Sequence, residues 1–268
     1  MMNNLIIGRY VPGTSIVHRM DPRAKLLLVF IFVMVVFLAN NLWGYLLLGA
    51  FTLTFVLLTR ISIPFILKGL KPIIWIIIFT MIFHVFLTKE GTLLFEAGFI
   101  QVYEEGIIQA IFISLRFLFL ITITTILTLT TTPIEVTDGM ETLFGPFKKV
   151  GVPVHELALM MSISLRFIPT LMQETDKIMK AQSARGADFT VGPLKERVKA
   201  LVPLLVPLFI SAFKRAEELA TAMEARGYNG GEGRTKFRLL KWQTKDTILM
   251  VVLAILTFIL VLIRTYWS

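Results

Sequence analysis

The chain of 268 residues is 56% hydrophobic and only 17% charged, with a mean hydropathy of +0.77, which indicates an integral membrane protein and excludes one large soluble domain. Cysteine is absent, so disulfides, cysteine-ligated metal centres and thiol nucleophiles are excluded. The cations behind the net charge of +9 lie mainly in links between apolar runs, a pattern that indicates orientation in a bilayer and no nucleic-acid partner.

Five apolar runs predict five transmembrane helices, because each has roughly the length needed to cross the hydrocarbon core. The link Arg60–Lys71, between the second and third runs, contains Pro64 and Pro72, which are expected to interrupt helical structure there. Residues 96–98, between the third and fourth runs, give a weak β-hairpin signal. The five runs are Leu26–Asn40, Trp43–Thr59, Ile73–Thr88, Ile107–Leu129 and Thr247–Ile263.

Basic residues concentrate on one side of these runs, before the first run and in the link after the second. Because cytoplasmic links are enriched in Lys and Arg, this asymmetry predicts a cytoplasmic N-terminus and an extracellular C-terminus in the cell membrane. The opposite side carries Lys89 and Arg264 outside the runs. The basic residues on the predicted cytoplasmic side are Arg9, Arg19, Arg23, Lys25, Arg60, Lys68 and Lys71.

The stretch between the fourth and fifth runs is predicted to be cytoplasmic and helical. It contains a short helix, Ile134–Phe144, and two long helices, Val154–Arg185 and Leu194–Arg226, which internal prolines are expected to kink. Each long helix is apolar in its first half and becomes charged toward its end. An alternative in which both long helices also enter the membrane, giving seven spans, stays open.

The predicted fold is therefore an all-α integral membrane protein with five transmembrane helices and a cytoplasmic coupling region built on two long crossed helices. Residues 1–132 form the entry segment and the first four spans, residues 133–245 form the coupling region, and residues 246–268 form the last span.

The two long helices end in the same tripeptide. One ends at Ala184-Arg185-Gly186 and the other at Ala225-Arg226-Gly227. Arg is favoured at a helix C-terminus by the dipole, and Gly is favoured where a helix stops in the left-handed region. One copy is ordinary helix-stop chemistry. Two copies, each closing a helix of about 45 Å, indicate a matched pair of contact sites.

Two further residues stand out in or beside the spans. Arg116 lies inside the fourth run, where an isolated charge is costly and is expected to face the interior of the bundle. We interpret it as a structural intramembrane charge and not as part of an ion pathway. His84, near the outer end of the third run, is interpreted as a packed or interfacial residue, and its role stays undefined.

No catalytic or metal site is assigned from the sequence. A Gly-rich phosphate loop ending in Gly-Lys-Ser or Gly-Lys-Thr is absent, and the three histidines lack metal-ligand spacing. An integral membrane enzyme using His18, Asp21 and His155 remains a competing interpretation. A self-sufficient channel or carrier is a third, although the five runs lack the acidic residues typical of proton relays.

The entry segment, residues 15–25, resembles a family pattern of His-x-Leu-Asp-Pro-Arg-x-Lys, with Met20 in place of Leu. With Thr132-Pro133, residues 139–141 and the two Ala-Arg-Gly ends, the chain over nearly its whole length resembles the transmembrane T component of energy-coupling-factor (ECF) transporters. These are ATP-driven importers of vitamins and other micronutrients.

The resemblance implies a non-catalytic scaffold that joins two ABC-type ATPase subunits, A and A′, to a substrate-binding membrane S component. ATP and Mg would be bound by the partner subunits, and this chain would bind no cofactor. The residues of the two Ala-Arg-Gly ends, Arg185 and Arg226 above all, would dock on the ATPases. Met160, Met161 and Met223 would offer an adaptable surface to the S component, or would fill a core. The resemblance leaves open the substrate, whether several S components share the chain, and which Arg meets which ATPase.

Overall fold

The computed structural model describes residues 10–97, 100–187, 193–230 and 239–266, and these are almost entirely helical. The chain forms two compact units. Unit 1 comprises Met1–Leu143 and Leu239–Ser268, and unit 2 comprises Phe144–Arg238. The predicted all-α membrane fold is confirmed. The division at residues 132 and 245 stays a prediction.

Eight α-helices, one short 3-10 helix and one β-hairpin are described. The hairpin pairs β1 and β2 antiparallel, as the signal at residues 96–98 predicts. The elements are α1 (Pro22–Val36), α2 (Leu42–Thr59), α3 (Ile63–Leu87), β1 (Leu93–Ala97), β2 (Ile100–Tyr103), α4 (Glu104–Thr130), α5 (Pro133–Phe144), the 3-10 helix (Gly145–Val150), α6 (Val154–Ala184), α7 (Leu194–Ala225) and α8 (Thr244–Tyr266).

Helix α3 corrects the expectation of an interrupted link between the second and third runs. It begins at Ile63, so most of that link is helical. Pro64 lies in the first turn of the helix, where a missing N–H costs nothing and the fixed φ is already helical. Pro72 falls between the segments Ile63–Lys71 and Ile73–Leu87, whose axes differ by 60°. The second proline therefore accompanies a bend and not an end of the helix.

The helices that are long and apolar enough to cross a membrane, among the described residues, are α2, α4, α6 and α8, with the bent α3 as a fifth. The protein is therefore a multi-pass membrane protein. The predicted count of five is not reproduced helix by helix. Helix α1 has only 15 residues, and α6, which was expected to be cytoplasmic, is included as the least apolar of the four unbent candidates.

Ring contacts and close glycine packing fix the direction of α2, α3 and α4 within unit 1. Tyr45 of α2 stacks on Phe112 of α4 with centroids 4.6 Å apart, and Gly49 lies beside Phe119. These helices therefore run in the same direction. Helix α3 runs opposite to α4, because Gly69 meets Thr125 at one end and Gly106 meets the carbonyl of His84 at the other.

Helices α1 and α8 begin at the same end of unit 1. The N–H of Asp21, which caps α1, donates to Asp246 Oδ1 in the first turn of α8 at 3.0 Å. The carbonyl of Thr130, the last residue of α4, also lies there. The start of α1 and the end of α8 consequently lie at opposite ends of this bundle.

Unit 2 is organised by the antiparallel pair α6 and α7. The Gln182 side-chain amide donates to the Pro203 carbonyl at 3.4 Å. Farther along, Glu174 accepts a hydrogen bond from Ser211 at 2.8 Å and pairs with Arg215. The start of each helix therefore lies beside the end of the other.

Gly106 provides a test of the close α3–α4 contact. An added side chain would begin 3.2 Å from the His84 carbonyl oxygen and 3.3 Å from that of Thr88, and backbone atoms cannot rotate away. We expect Gly106→Leu to lower the free energy of unfolding by about 1–3 kcal/mol, measured as a lower thermal midpoint in detergent. Gly145→Ala is the control, since nothing lies within 4 Å of the added carbon. Equal midpoints for both variants would contradict the packing described.

Candidate functional site

The two Ala-Arg-Gly ends form the same backbone structure. After α6, Gly186 adopts a φ of 89°, its N–H donates to the Ser183 carbonyl at 3.0 Å, and the N–H of Ala187 reaches back to Gln182 O, also at 3.0 Å. This is the Schellman arrangement, in which two backbone bonds close a helix around a left-handed residue. Arg185 is the C-cap residue and is exposed, as is Ala184.

The end of α7 repeats this arrangement. Gly227 has a φ of 73°, and its N–H donates to the Glu224 carbonyl at 2.8 Å. The N–H of Tyr228 donates to Met223 O at 3.0 Å. Arg226, the C-cap residue, is exposed like Ala225 before it. The repeated tripeptide therefore encodes a repeated turn that presents one guanidinium group.

The antiparallel pairing separates these two ends. Arg226 lines a cavity together with Leu159 and Ser162, near the start of α6, whereas Arg185 follows the end of α6. At 1.5 Å per residue along α6, the two arginines lie on the order of 35 Å apart. Within the described residues, no carboxylate forms an ion pair with either. This separation would allow each arginine to contact a different partner molecule.

The three methionines lie toward one end of this helix pair. Met160 and Met161 are 54% and 44% exposed, so in unit 2 they do not fill a core. Met223 is half-buried and lines the cavity that also contains Arg226. Met160 and Met161 are thus available for contact with another molecule.

Arg116 is held at the turn between α1 and α2. Its Nη2 donates to the Ala39 carbonyl at 3.4 Å, and its guanidinium lies 5.0 Å from the centre of the Phe37 ring. Its Nε and the Tyr45 hydroxyl are buried without a hydrogen-bond partner among the described residues. His84 donates through Nδ1–H to the Thr80 carbonyl at 2.9 Å, one turn back in α3. Both residues therefore contact their own bundle.

A buried polar cluster, which we call the entry node, lies where α1 and α8 begin. It consists of Asp21, Arg23, Lys25 and Asp246, with the backbone groups they bind. Asp246 is 0% exposed and accepts from the N–H of Asp21 at 3.0 Å and of Gln243 at 2.7 Å. Arg23 donates to both Asp21 oxygens, at 3.0 and 2.8 Å, and its guanidinium lies over a tryptophan ring.

Lys25 connects the entry node to the end of α4. Its Nζ donates to the Thr130 carbonyl at 3.0 Å and to Thr131 Oγ1 at 3.2 Å. Burial lowers the pKa of Lys25 to about 8, although Glu135, Asp246 and Asp21 each act to raise it. Burial would raise the pKa of Asp21, but its hydrogen bonds to Arg23 and the nearby cations outweigh burial and lower it.

Sequence reasoning identified Asp21, Arg23 and Lys25 as parts of a motif but missed Asp246, which is 225 residues from Asp21. Asp246 directly precedes the last apolar run and resembles an ordinary flanking charge. The available signal was its position three residues after Gln243, because a side chain at the third helical position can accept a hydrogen bond from the N–H of the residue that precedes the helix.

The side chains of the competing enzyme interpretation have structural partners. His18 hydrogen-bonds through Nδ1 to Ser15 Oγ at 2.6 Å and through Nε2 to the Val11 carbonyl at 3.0 Å. Asp21 is engaged by Arg23, and His155 belongs to unit 2. The geometry therefore provides no observation that favours catalysis by these three residues.

Comparisons with known proteins identify related chains. Residues 13–237 match the CbiQ family model, described as a cobalt transport protein. The chain is 67% identical to the energy-coupling factor transporter transmembrane protein EcfT of Bacillus subtilis strain 168, covering 98% of this chain and 100% of that protein. It is 55% identical to the protein of the same name from Listeria innocua, with 99% and 100% coverage. For the Lactococcus lactis protein the identity is 53%, with 100% and 99% coverage.

Removal of the Asp246 carboxylate tests the entry node. Asp246→Ala leaves two backbone N–H groups without an acceptor, so we expect a loss of about 2–4 kcal/mol in the free energy of unfolding. Asp246→Asn keeps one acceptor oxygen and should lose about half as much. The measurement is the thermal midpoint of the purified chain in detergent, with the exposed Glu90→Gln as the control. A midpoint for Asp246→Ala equal to that of the control would refute the structural importance of the node.

Proposed function

The chain belongs to the family of transmembrane T components of energy-coupling-factor transporters, and on that premise we propose that it couples ATP hydrolysis by partner subunits to micronutrient import. In this proposal it is a non-catalytic scaffold between two ABC-type ATPases, A and A′, and one substrate-binding S component. Vitamins are the expected cargo. ATP and Mg are bound by the partners.

The observation that supports the proposal most is the pair of identical helix ends. Arg185 and Arg226 are presented by the same turn, at opposite ends of one antiparallel pair. A guanidinium on a fixed turn makes several charge-assisted hydrogen bonds with carboxylates or carbonyls in a groove. Two such ends about 35 Å apart suit one ATPase each. Ala184, Gly186, Ala225 and Gly227 shape the docking turns.

Transmission of motion needs a stiff link between the two ends. Glu174 of α6 provides one by binding both Ser211 and Arg215 of α7, close to the middle of the pair. Approach of the ATPases on binding ATP would then move α6 and α7 as a unit. The exposed Met160 and Met161, with Met223, would pass that displacement to the S component through an adaptable apolar contact.

The charges at the two ends of unit 1 support the proposed orientation in the membrane. Arg60 caps α2 at the end that also carries the entry node. The opposite end carries the hairpin with its acidic flanks, Glu90, Glu96, Glu104 and Glu105. The positive-inside rule assigns the node end to the cytoplasm. The N-terminus is then cytoplasmic and the C-terminus extracellular.

Charge reversal at the helix ends tests docking. We expect Arg185→Glu and Arg226→Glu each to weaken co-purification of the ATPase pair at least tenfold, because each replaces a docking cation with a repelling charge, on the order of 2–5 kcal/mol. Lys180→Glu, an exposed cation of α6 near the same end, is the matched control. Yields of the chain in the membrane should stay equal. Recovery of the ATPases at the wild-type level with both reversals present would defeat the docking proposal.

The absence of cysteine permits a test of orientation with single cysteines. A membrane-impermeant maleimide should label Tyr266→Cys and Glu90→Cys on intact cells, because both positions are exposed at the proposed outer side. Thr14→Cys and Arg185→Cys should react only after permeabilisation. Labelling of Thr14→Cys on intact cells would reverse the proposed orientation.

A further inference from the structure

Unit 2 contains a cavity of about 450 Å³ between the first half of α6 and the end of α7. This volume is in the range of small-molecule sites. Gly227 turns the chain back at the end of α7, so that the segment after the helix closes one side. The lining residues are Leu159, Ser162, Ile163, Arg166, Leu219, Met223, Arg226, Gly227, Tyr228, Asn229 and Gly230.

The charged side chains of the described lining are both positive. Arg166 and Arg226 both border the cavity, and no Asp or Glu is among the described residues that line it. Glu174, two turns farther along α6 from Arg166, is occupied by Arg215 and Ser211 on the neighbouring helix. Both guanidinium groups are exposed, and an anion held between them would be attracted by each. The planar fork of Arg is suited to bidentate binding of a phosphate.

The remaining lining divides into a polar and an apolar part. Ser162 and Asn229 contribute hydrogen-bonding side chains. Leu159, Ile163 and Leu219, with Met223, contribute an apolar wall. A small inorganic anion would leave that wall in water, whereas an amphiphilic anion would cover it.

The helix that forms most of this wall also has membrane character. Helix α6 meets the length and hydropathy criterion for a membrane span. Leu157, Met160 and Met161, beside the cavity residues in the sequence, are exposed. A lipid is therefore an available source of an amphiphilic anion for this site.

We propose that this cavity binds the phosphate group of an anionic phospholipid, with Arg166 and Arg226 on the phosphate and the apolar wall against the glycerol backbone and proximal acyl carbons. The site uses groups of unit 2 only and does not depend on ATPase docking. The proposal gives Arg226 a second ligand, so a bound lipid and a docked ATPase would compete for its guanidinium group. No such competition is expected at Arg185.

The test measures lipid binding to the full-length chain purified in detergent, by native mass spectrometry during titration with phosphatidylglycerol and, separately, phosphatidylcholine. We expect phosphatidylglycerol to bind about tenfold more tightly than phosphatidylcholine, because both lipids carry the phosphate but the choline cation of phosphatidylcholine is repelled by the two guanidinium groups. Arg166→Gln should remove the preference. Arg166→Lys should restore part of it, because Lys keeps the charge but not the fork.

Arg185→Gln is the matched control, because Arg185 has the same Ala-Arg-Gly context but does not line the cavity. It should leave the lipid preference unchanged, whereas Arg226→Gln should reduce it about as much as Arg166→Gln. Equal binding of the two lipids by the wild type, or equal losses in Arg185→Gln and Arg166→Gln, would overturn the site. Competition by inorganic phosphate at the same concentration as the lipid would overturn the lipid as its occupant.

Co-purification of the ATPase pair with the Arg166→Gln variant distinguishes lipid binding in the cavity from ATPase docking. Arg166→Gln should still retain the ATPases at the wild-type level, because Arg166 is not one of the proposed docking residues. If Arg166→Gln lost the ATPases together with the lipid preference, the cavity would be part of the ATPase interface, and the lipid assignment would be wrong.

Discussion

Unit 1 depends on the hydrogen bonds and opposite charges that stabilise the buried carboxylate of Asp246. A fully buried charge is costly to desolvate, and it persists only where hydrogen bonds and opposite charges compensate it. Asp246 lies in the first turn of α8, where the helix dipole favours a negative charge, and it accepts two backbone N–H groups. Arg23 and Lys25 add positive charge on the other side. The groups that compensate the buried charge of Asp246 therefore come from both ends of the chain.

Along the chain, the residues of unit 2 lie between the two segments of unit 1. The entry node explains how those two segments of unit 1 stay together. The chain leaves unit 1 after α5 and returns at Leu239. Near the exit, Lys25 holds the end of α4, and Glu135 accepts from the Thr132 N–H at 2.9 Å to start α5. Near the return, Arg23 contacts the Leu240 carbonyl at 3.4 Å. Helix α1 thus contacts both segments of unit 1, at Thr130 before the exit and at Leu240 after the return.

The sequence predicted most of the helices because their apolar runs are long. It predicted the ends of α6 and α7 because Arg-Gly is a local signal for helix termination. It missed features that depend on contacts between residues far apart in the chain. Pro64 appeared to be a breaker, since sequence alone does not show that the helix begins one residue earlier. Asp246 appeared to be a flanking charge, since its partner is far away in the chain. The cavity between α6 and α7 depends on their antiparallel register, which Glu174 and Arg215 set and which no local pattern encodes.

That register makes the two Ala-Arg-Gly ends unequal although their turns are the same. Arg226 borders a cavity with a second guanidinium and a half-buried Tyr228. Arg185 is followed by Gly186, where an added Cβ would meet no other described residue within 4 Å. A molecule that binds Arg226 from the cavity side therefore also meets Arg166 and the cavity wall, whereas one that binds Arg185 does not. Identical turns give the two ends the same guanidinium chemistry. Their different surroundings make the two ends distinguishable to a binding partner, because specificity arises from the neighbours of a shared anchor as much as from the anchor itself.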